Sequence, residues 1–214
     1  MSGTTSGRTG EFGTLRSYPA GMQLIGQGEA ARDVYLIQQG AMKLLWSDAE
    51  GRETIIGLRW PGSFVGASSV ITALHSPATA ITLVPCTLEH IPSERFLQIL
   101  RSNAAFAMRI HEAQSSEIIQ QMSGLGELAI ASAKTRFMSF LERLASSVCD
   151  DICLPDGRLR LPLKKKELAA VLAITPEHFS RMLNDLTSEG VIATNGQWIV
   201  VRNFPELNRR ASIG

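Results

Sequence analysis

The stretch that decides the fold is Leu163–Val201, LKKKELAAVLAITPEHFSRMLNDLTSEGVIATNGQWIVV. Its first part, Lys165–Leu172, carries apolar residues at near-helical spacing, which predicts a short helix. Ala173-Ile174 is a break between two helical patterns. Thr175 predicts the start of the next helix because threonine is a good N-cap, and Pro176 fits the first helical position without losing a hydrogen bond.

The second helix is amphipathic and leads into a β-hairpin. We predict that it ends at Gly190, because glycine is common just beyond a helix C-terminus. The apolar runs 191–193 and 198–201 flank Asn195-Gly196, a strong signal for a tight hairpin turn. A helix, a tight turn, a second helix and a hairpin predict a winged helix-turn-helix. The predicted buried face of the second helix consists of Phe179, Met182, Leu183 and Leu186.

One face near the start of the second helix carries Glu177, Ser180 and Arg181 at spacings i, i+3 and i+4. Recognition helices enter the DNA major groove with this end, where arginine can bind guanine through two hydrogen bonds and glutamate can accept one from cytosine. The alternative is an ordinary surface Glu–Arg pair, which stabilises a helix by about 0.2–0.5 kcal/mol. Because a first helix and a wing flank the triplet, we predict that it reads DNA bases.

The sequence Glu177-His178-Phe179-Ser180-Arg181 resembles the recognition helix of the Crp/Fnr superfamily of bacterial transcription regulators. The Fnr-like branch carries Glu-x-x-Ser-Arg, whereas the catabolite-activator branch carries Arg-Glu-x-x-x-Arg, whose first arginine is replaced here by Pro176. The segment TPEHFSR is also similar to the corresponding segment of the nitric-oxide-responsive denitrification regulators of the Fnr-like branch. The resemblance implies a homodimer, an operator built as an inverted repeat of TTGAT, and contact with RNA polymerase.

The chain carries little net positive charge. Its 214 residues have a formal net charge of +1, and nine basic and seven acidic residues after position 150 give that part a net charge of +2. Phosphate contacts would therefore come from particular side chains and backbone N–H groups. The lysine run 164–166 is either a solvated turn or a phosphate contact, and its place beside the recognition helix favours phosphate. The predicted contacts to the DNA backbone are Lys164, Lys165, Thr175 and His178.

Short β-type runs separated by glycines occupy residues 17–91, which predicts an all-β roll or barrel. A generic lipocalin-like or cupin barrel is the alternative. The predicted strands are Gln23–Ile25, Val34–Ile37, Ala41–Trp46, Thr54–Leu58 and Ile81–Val84. The region resembles the cyclic-nucleotide-binding β-roll of the same superfamily in the order and spacing of Gly21, Gly28, Tyr35-Leu36-Ile37, Gly40, Lys43 and Pro61–Gly66.

The resemblance also implies where an effector would bind, and the sequence departs from the family there. Nucleotide-binding members place a glutamate for the ribose directly after Phe-x-Gly and, further along, an arginine for the cyclic phosphate. Ala67 stands at the glutamate position and Ala78 at or next to the arginine position. A buried phosphate without its arginine is a poorly paired anion, so we expect no binding of cyclic AMP or cyclic GMP. The predicted effector pocket comprises Ala67, His75, Ala78 and Thr79.

The cysteines and histidines narrow the choice of cofactor. Cys86, Cys149 and Cys153 are scattered, whereas an iron–sulfur cluster of the Fnr kind needs four cysteine ligands, so we expect neither this cluster nor a structural disulfide. Haem needs an axial ligand, and His75 is either that ligand or a solvated loop side chain. The pair Cys149 and Cys153 is either a thiol switch or two structural cysteines.

Residues 103–130 form a long helical pattern with the alternating three-and-four spacing of a coiled-coil seam. In the superfamily this helix is the homodimer interface; the alternative is a helix that packs only against its own β-roll. Gly124 and Gly126 each weaken a helix by about 1 kcal/mol relative to alanine, and we interpret them as a soft joint. The predicted seam consists of Met108, His111, Ser115, Ile118, Met122 and Leu125.

These patterns predict an α+β fold with a cyclic-nucleotide-binding-like β-roll, a long dimerisation helix and a winged helix-turn-helix. The expected ranges are 1–13 disordered, 14–102 for the sensor roll, 103–130 for the dimerisation helix and 131–214 for the DNA-binding domain. Within the last range we expect a helix at Ser132–Ala145, a small hairpin at 152–161 and a terminal helix at Phe204–Arg210.

The remaining sequence features concern location and chemistry. No window resembles a signal peptide or a membrane span, which predicts a cytoplasmic protein. The sequence shows no nucleophile–base set, metal-ligand cluster or phosphate-binding glycine loop, so we predict a regulator without enzymatic activity and without a metal site. The alternative is a cupin-like binding or enzymatic domain whose C-terminal helices mediate protein contacts. Its metal chemistry would need paired histidines, whereas the four histidines are dispersed.

Overall fold

The computed structural model describes residues 8–147 and 158–201. These residues form two compact units, with the boundary between Gln120 and Gln121. The predicted α+β fold is confirmed. The boundary falls inside the expected dimerisation helix, because the first half of that helix packs on the N-terminal unit.

Two antiparallel sheets build the N-terminal unit. The first has the strand order β1-β2-β9-β4-β7 and the second has the order β3-β8-β5-β6. The strands are β1 (Arg8–Thr9), β2 (Thr14–Tyr18), β3 (Gln23–Ile25), β4 (Asp33–Gln39), β5 (Met42–Ser47), β6 (Glu53–Arg59), β7 (Phe64–Val65), β8 (Thr79–Thr82) and β9 (Cys86–Pro92). The helices are α1 (Ala67–Thr72), α2 (Ser93–Ser102) and the first part of α3 (Ala104–Ile130).

One face of the first sheet packs against α2 and the first turns of α3. Val34 and Ile91 from the sheet meet Phe96 from α2 and Phe106 and Ile110 from α3, and all five are buried. Asn103 caps α3, since its side-chain oxygen accepts a hydrogen bond from the Phe106 backbone N–H at 3.0 Å. The N-terminal half of α3 is thus part of the β domain's core.

Several sequence predictions need correction in this unit. Residues 8–13 were expected to be disordered, but Arg8–Thr9 forms β1, and Phe12 packs on the core; residues 1–7 lie outside the described range. The last predicted strand, Ile81–Val84, is displaced, because β8 spans Thr79–Thr82. The strands β1, β2, β7 and β9 and the helix α1 were not predicted.

The C-terminal unit contains the second part of α3 and a helix-turn-helix with a small sheet. Its further elements are α4 (Ala133–Ser147), β10 (Arg158–Arg160), α5 (Lys165–Val171), α6 (Pro176–Ser188), β11 (Ile192–Asn195) and β12 (Trp198–Val201). The sheet has the order β10-β12-β11, so β10 extends the predicted wing hairpin by pairing with β12. The predicted partner strand of β10 at 152–154, the terminal helix at 204–210, Cys149 and Cys153 lie outside the described residues.

Helix α3 runs without interruption through Gly124 and Gly126. The soft joint at these glycines stays a prediction, since a glycine lowers helix stability without preventing a helix.

Among the described residues, the longest helices carry too little continuous apolar sequence to span a bilayer.

Candidate nucleic-acid interface and effector pocket

The turn of the helix-turn-helix is a Schellman motif at the end of α5. The Ile174 and Ala173 backbone N–H groups donate to the carbonyls of Ala169 and Ala170, each at 3.0 Å. Ala173 therefore has a left-handed backbone with φ of 51°, a conformation that usually selects glycine. The sequence pattern predicted a break at this position, but alanine gave no signal for its handedness.

Helix α6 begins as predicted. The Thr175 hydroxyl accepts a hydrogen bond from the His178 backbone N–H at 3.2 Å, and Pro176 is the first helical residue. The C-terminal end is a second Schellman motif, in which the Val191 N–H donates to the Leu186 carbonyl at 3.0 Å and Gly190 has φ of 70°. Both ends of the helix are thus fixed by local hydrogen bonds.

The outward face of α6 presents the three predicted base-reading side chains to solvent. Glu177, Ser180 and Arg181 are all exposed. The pKa of Glu177 is lowered by hydrogen bonds from its own backbone N–H and from the Thr175 hydroxyl, and further by the positive charge of Arg181. The glutamate is therefore an ionised acceptor at neutral pH. The Ser180 hydroxyl donates to the Pro176 carbonyl at 3.0 Å, which leaves its lone pairs free to accept.

The inward face of α6 holds the helix in the C-terminal unit. Phe179, Met182, Leu183 and Leu186 are buried, as predicted. The Phe179 ring lies edge-on to the Phe137 ring of α4, with 5.3 Å between centroids. Burial of this face fixes the rotation of α6 about its axis and so directs Arg181 outward.

Two cations of α4 also position the helix-turn-helix. The Arg136 guanidinium donates to the Leu172 carbonyl from Nε at 3.1 Å and from Nη2 at 2.8 Å. Leu172 is the C-cap of α5, where helix carbonyls lack partners and carry partial negative charge. Lys134 forms an ion pair with Glu189 at the end of α6. Sequence reasoning missed both contacts, because they join residues that are far apart in the chain.

The residues predicted to contact the DNA backbone are all exposed to solvent. Lys164 and Lys165 open α5, and Thr175 and His178 open α6. The Lys164 N–H donates to the Glu167 carboxylate at 2.9 Å, so Glu167 caps the helix and the ammonium groups are not used for capping. The two helix starts therefore present backbone N–H dipoles and side-chain cations, which are groups that bind phosphate.

The wing is a tight hairpin whose turn differs by one residue from the prediction. Asn195 pairs with Trp198, so the two turn residues are Gly196 and Gln197. Gly196 has φ of 63°, which explains why glycine is used there.

The four predicted effector-pocket residues differ in their exposure to solvent, and the pocket that they form stays a prediction. Ala67 and Ala78 are buried, and the Thr79 hydroxyl accepts a hydrogen bond from the Gln27 backbone N–H at 3.0 Å. His75 is exposed and lines a cavity of about 500 Å³, together with the segment 28–33 and Tyr35. Ala67, Ala78 and Thr79 are not among the residues that line this cavity.

An ion pair that the sequence did not reveal joins the β-roll to α3. Arg59 of β6 and Glu117 of α3 lie 3.3 Å apart between Nε and Oε2, and both side chains are largely shielded from solvent. Close by, the Gln114 amide of α3 lies 3.5 Å from the Ser68 hydroxyl of α1. These polar contacts hold the first part of α3 beside the segment that begins with Ala67.

The predicted dimer seam is exposed along α3. Met108, Ile118 and Met122 are 59%, 57% and 67% exposed, and His111 and Ser115 are also exposed. The side chain of Leu125 lies outside the described residues. Ile119 is 62% exposed as well, so the outward apolar surface is broader than the predicted stripe. Monomeric soluble proteins rarely expose large contiguous apolar patches, so this surface favours a covering partner.

Comparisons with known proteins agree with this architecture. A cyclic nucleotide-binding domain model matches residues 15–103, and a Crp-like helix-turn-helix domain model matches residues 135–210. The cAMP-activated global transcriptional regulator CRP of Salmonella typhimurium is 26% identical over 188 residues, covering 87% of this chain and 89% of that protein. The transcriptional activator protein FnrL of Cereibacter sphaeroides is 27% identical over 203 residues, covering 92% and 79%.

The structural comparison supports the same fold. FixK2 from Bradyrhizobium japonicum superposes with a TM-score of 0.72 at 22% identity, covering 92% of this chain and 96% of that one. The match spans both units, which a cupin-like single domain would not give. The chain therefore belongs to the Crp/Fnr family of DNA-binding transcription regulators, a family of regulators rather than enzymes.

Proposed function

We propose that the chain acts in the cytoplasm as a homodimeric transcription regulator that binds an inverted repeat of TTGAT and contacts RNA polymerase. Its effector is a molecule other than a cyclic nucleotide. The observation that carries the proposal is the exposed triplet Glu177, Ser180 and Arg181 at the N-terminal end of α6. This arrangement matches the Fnr-like recognition pattern and lies on a helix whose rotation is fixed by packing.

The two-fold operator follows from the proposed dimer. Two α6 helices related by a two-fold axis read half-sites about one helical turn, ~34 Å, apart. The exposed apolar side chains of α3 supply the contact between subunits, because burying them against a second copy removes them from water.

A gel-shift titration with a TTGAT-N4-ATCAA duplex tests the proposal. Arg181→Ala is expected to weaken binding by about 1–3 kcal/mol per base-reading contact and to abolish discrimination against a duplex whose guanines are replaced by adenines. Arginine is the residue suited to the O6 and N7 atoms of guanine, so the loss should concern that base pair.

Lys165→Ala is the matched control in the same domain. It removes a cation that faces phosphate, so it should weaken both duplexes equally and reduce the slope of log affinity against log salt by about 1 per subunit, or about 2 for the dimer. Equal discrimination by the wild type and Arg181→Ala would contradict the base-reading role. Failure of the wild type to bind either duplex at low salt would contradict the operator.

The exclusion of cyclic nucleotides rests on the family's two ligand-holding positions. Ala67 is 1% exposed and Ala78 is 4% exposed, so each is a small apolar side chain within packed structure. Neither can hydrogen-bond a ribose hydroxyl or pair with a phosphate.

Isothermal calorimetry with millimolar cyclic AMP or cyclic GMP is therefore expected to give only the heat of dilution. The reason is the unpaired phosphate, whose burial would cost several kcal/mol. Saturable heat with either nucleotide would overturn this part of the proposal.

A further inference from the structure

The N-terminal segment 9–13 lies between strand β9 and helix α3, and it has no role in the function proposed above. It enters as the end of β1, which pairs with β2, and turns back through a hydrogen bond from the Gly10 N–H to the Gly13 carbonyl at 2.9 Å. The segment therefore has a defined conformation against the β domain.

A buried carboxylate anchors the segment to the sheet. Glu89 of β9 is 0% exposed, and its Oε1 accepts hydrogen bonds from the Phe12 N–H and from the Gly13 N–H, the latter at 2.7 Å. Its Oε2 accepts from the Gln38 side-chain amide at 3.1 Å. A buried carboxyl group needs such donors, so undocking the segment would leave Glu89 poorly satisfied.

Two glycines allow the segment to approach this closely. A Cβ atom at position 10 would overlap the Glu89 carboxylate, and one at position 13 would overlap the His90 backbone carbonyl. The backbone carbonyl cannot move aside without disturbing β9. The glycines at positions 10 and 13 are therefore required by close packing.

The other side of the segment contacts the first turns of α3. The Phe12 ring lies 4.4 Å from the Phe106 ring between centroids. The Arg109 guanidinium lies 4.9 Å above the Phe12 ring and pairs with Glu11 at 2.8 Å. Ring–ring and cation–π contacts each contribute on the order of the energy of a net hydrogen bond. Arg109 directly follows Met108, the first residue of the proposed dimer seam.

We propose that residues 9–13 form a clasp that orders the first turns of α3 and thereby strengthens the pairing of two α3 helices. The inference rests on the homodimer of the proposed function. If the clasp is absent, the first turns of α3 fray more readily, and their ordering must then occur when the subunits associate. The clasp reduces that entropic cost in advance and so lowers the dimer dissociation constant.

The test compares Phe12→Ala and Gly13→Ala in the full-length chain. We expect each to raise the dimer dissociation constant, measured by sedimentation, about tenfold, and to speed amide hydrogen exchange in residues 104–110 by a similar factor. Leu97→Ala is the matched control, because Leu97 on α2 is partly buried against the same core cluster but is not a residue of the clasp. It should change neither quantity by more than about twofold.

The outcomes separate the clasp from the dimer. If Phe12→Ala affects the dissociation constant no more than Leu97→Ala does, or if exchange rises without weaker pairing, the clasp is refuted and the homodimer stands. A wild-type chain that stays monomeric at every concentration would refute the homodimer itself and the clasp's effect with it.

Discussion

Phe179→Ala is expected to lower the free energy of unfolding of the C-terminal unit by about 3–5 kcal/mol. The Phe179 side chain is 0% exposed and lies edge-on to Phe137. Truncation removes apolar burial, leaves a cavity between α4 and α6, and deletes the ring contact. Since single domains are stable by about 5–15 kcal/mol, this loss is a large part of the total, and DNA binding should fall with it.

Urea unfolding followed by tryptophan fluorescence measures this effect. The chain has three tryptophans, of which Trp198 alone lies in the C-terminal unit, so replacing Trp46 and Trp60 by phenylalanine makes the signal specific. Asn184→Ala, at an exposed position of the same helix, serves as the control and should shift stability by less than about 0.5 kcal/mol. A shift for Phe179→Ala that is no larger than the control's would show that α6 is not held by this contact.

The double variant Ile118→Glu and Met122→Glu is expected to convert the proposed dimer into monomers. Four carboxylates would face one another in the apolar contact, and each buried unpaired charge costs several kcal/mol. The dimer dissociation constant should therefore rise at least about 100-fold, equivalent to roughly 3 kcal/mol. A duplex with two half-sites should then bind no more tightly than a duplex with one, because each monomer reads a single half-site.

Sedimentation velocity and a gel shift with one-site and two-site duplexes check this prediction. Gln120→Glu, on the opposite side of α3, adds charge to the same helix outside the seam and should leave the dimer intact. Retention of the dimer in Ile118→Glu and Met122→Glu would assign these exposed side chains to another partner.

The helix-turn-helix could be predicted from the sequence because its signals are local. Thr175 and Pro176 specify a helix start within two residues, and Gly190 specifies its end. The spacing of Phe179 and Met182 then decides which face is buried, and the opposite face must carry Glu177 and Arg181. The orientation of the recognition face therefore follows from the periodicity of one helix.

Most structural features that the sequence did not predict depend on contacts between residues far apart in the chain. Strand β9 is central in its sheet and mostly buried, so it lacks the alternation that reveals a half-buried strand. Residues 8–13 have the glycine-rich composition of a disordered terminus, and they are ordered by Glu89, which lies 76 positions from Gly13. The left-handed backbone of Ala173 likewise had no signature, since alanine is common in helices.

For the candidate effector pocket, the sequence predicted only that the glutamate and arginine of nucleotide-binding members are replaced. The departures at Ala67 and Ala78 could be read by aligning a family pattern, whereas the position of His75 in the lining of a cavity required the fold. The Arg59–Glu117 ion pair was also invisible in the sequence, because neither residue belongs to a motif.

The hydrogen bonds from Arg136 to the Leu172 carbonyl have a consequence for how such a protein can change its DNA targets during evolution. The helix-turn-helix is held by contacts from α4 and by the buried apolar face of α6. These contacts lie away from the exposed side chains of Glu177, Ser180 and Arg181. Under the proposed base-reading role, substitutions at positions 177, 180 and 181 would change the promoters that are bound and leave these packing contacts intact. A duplicated copy of the gene would then acquire new target promoters through changes at these three proposed base-reading positions.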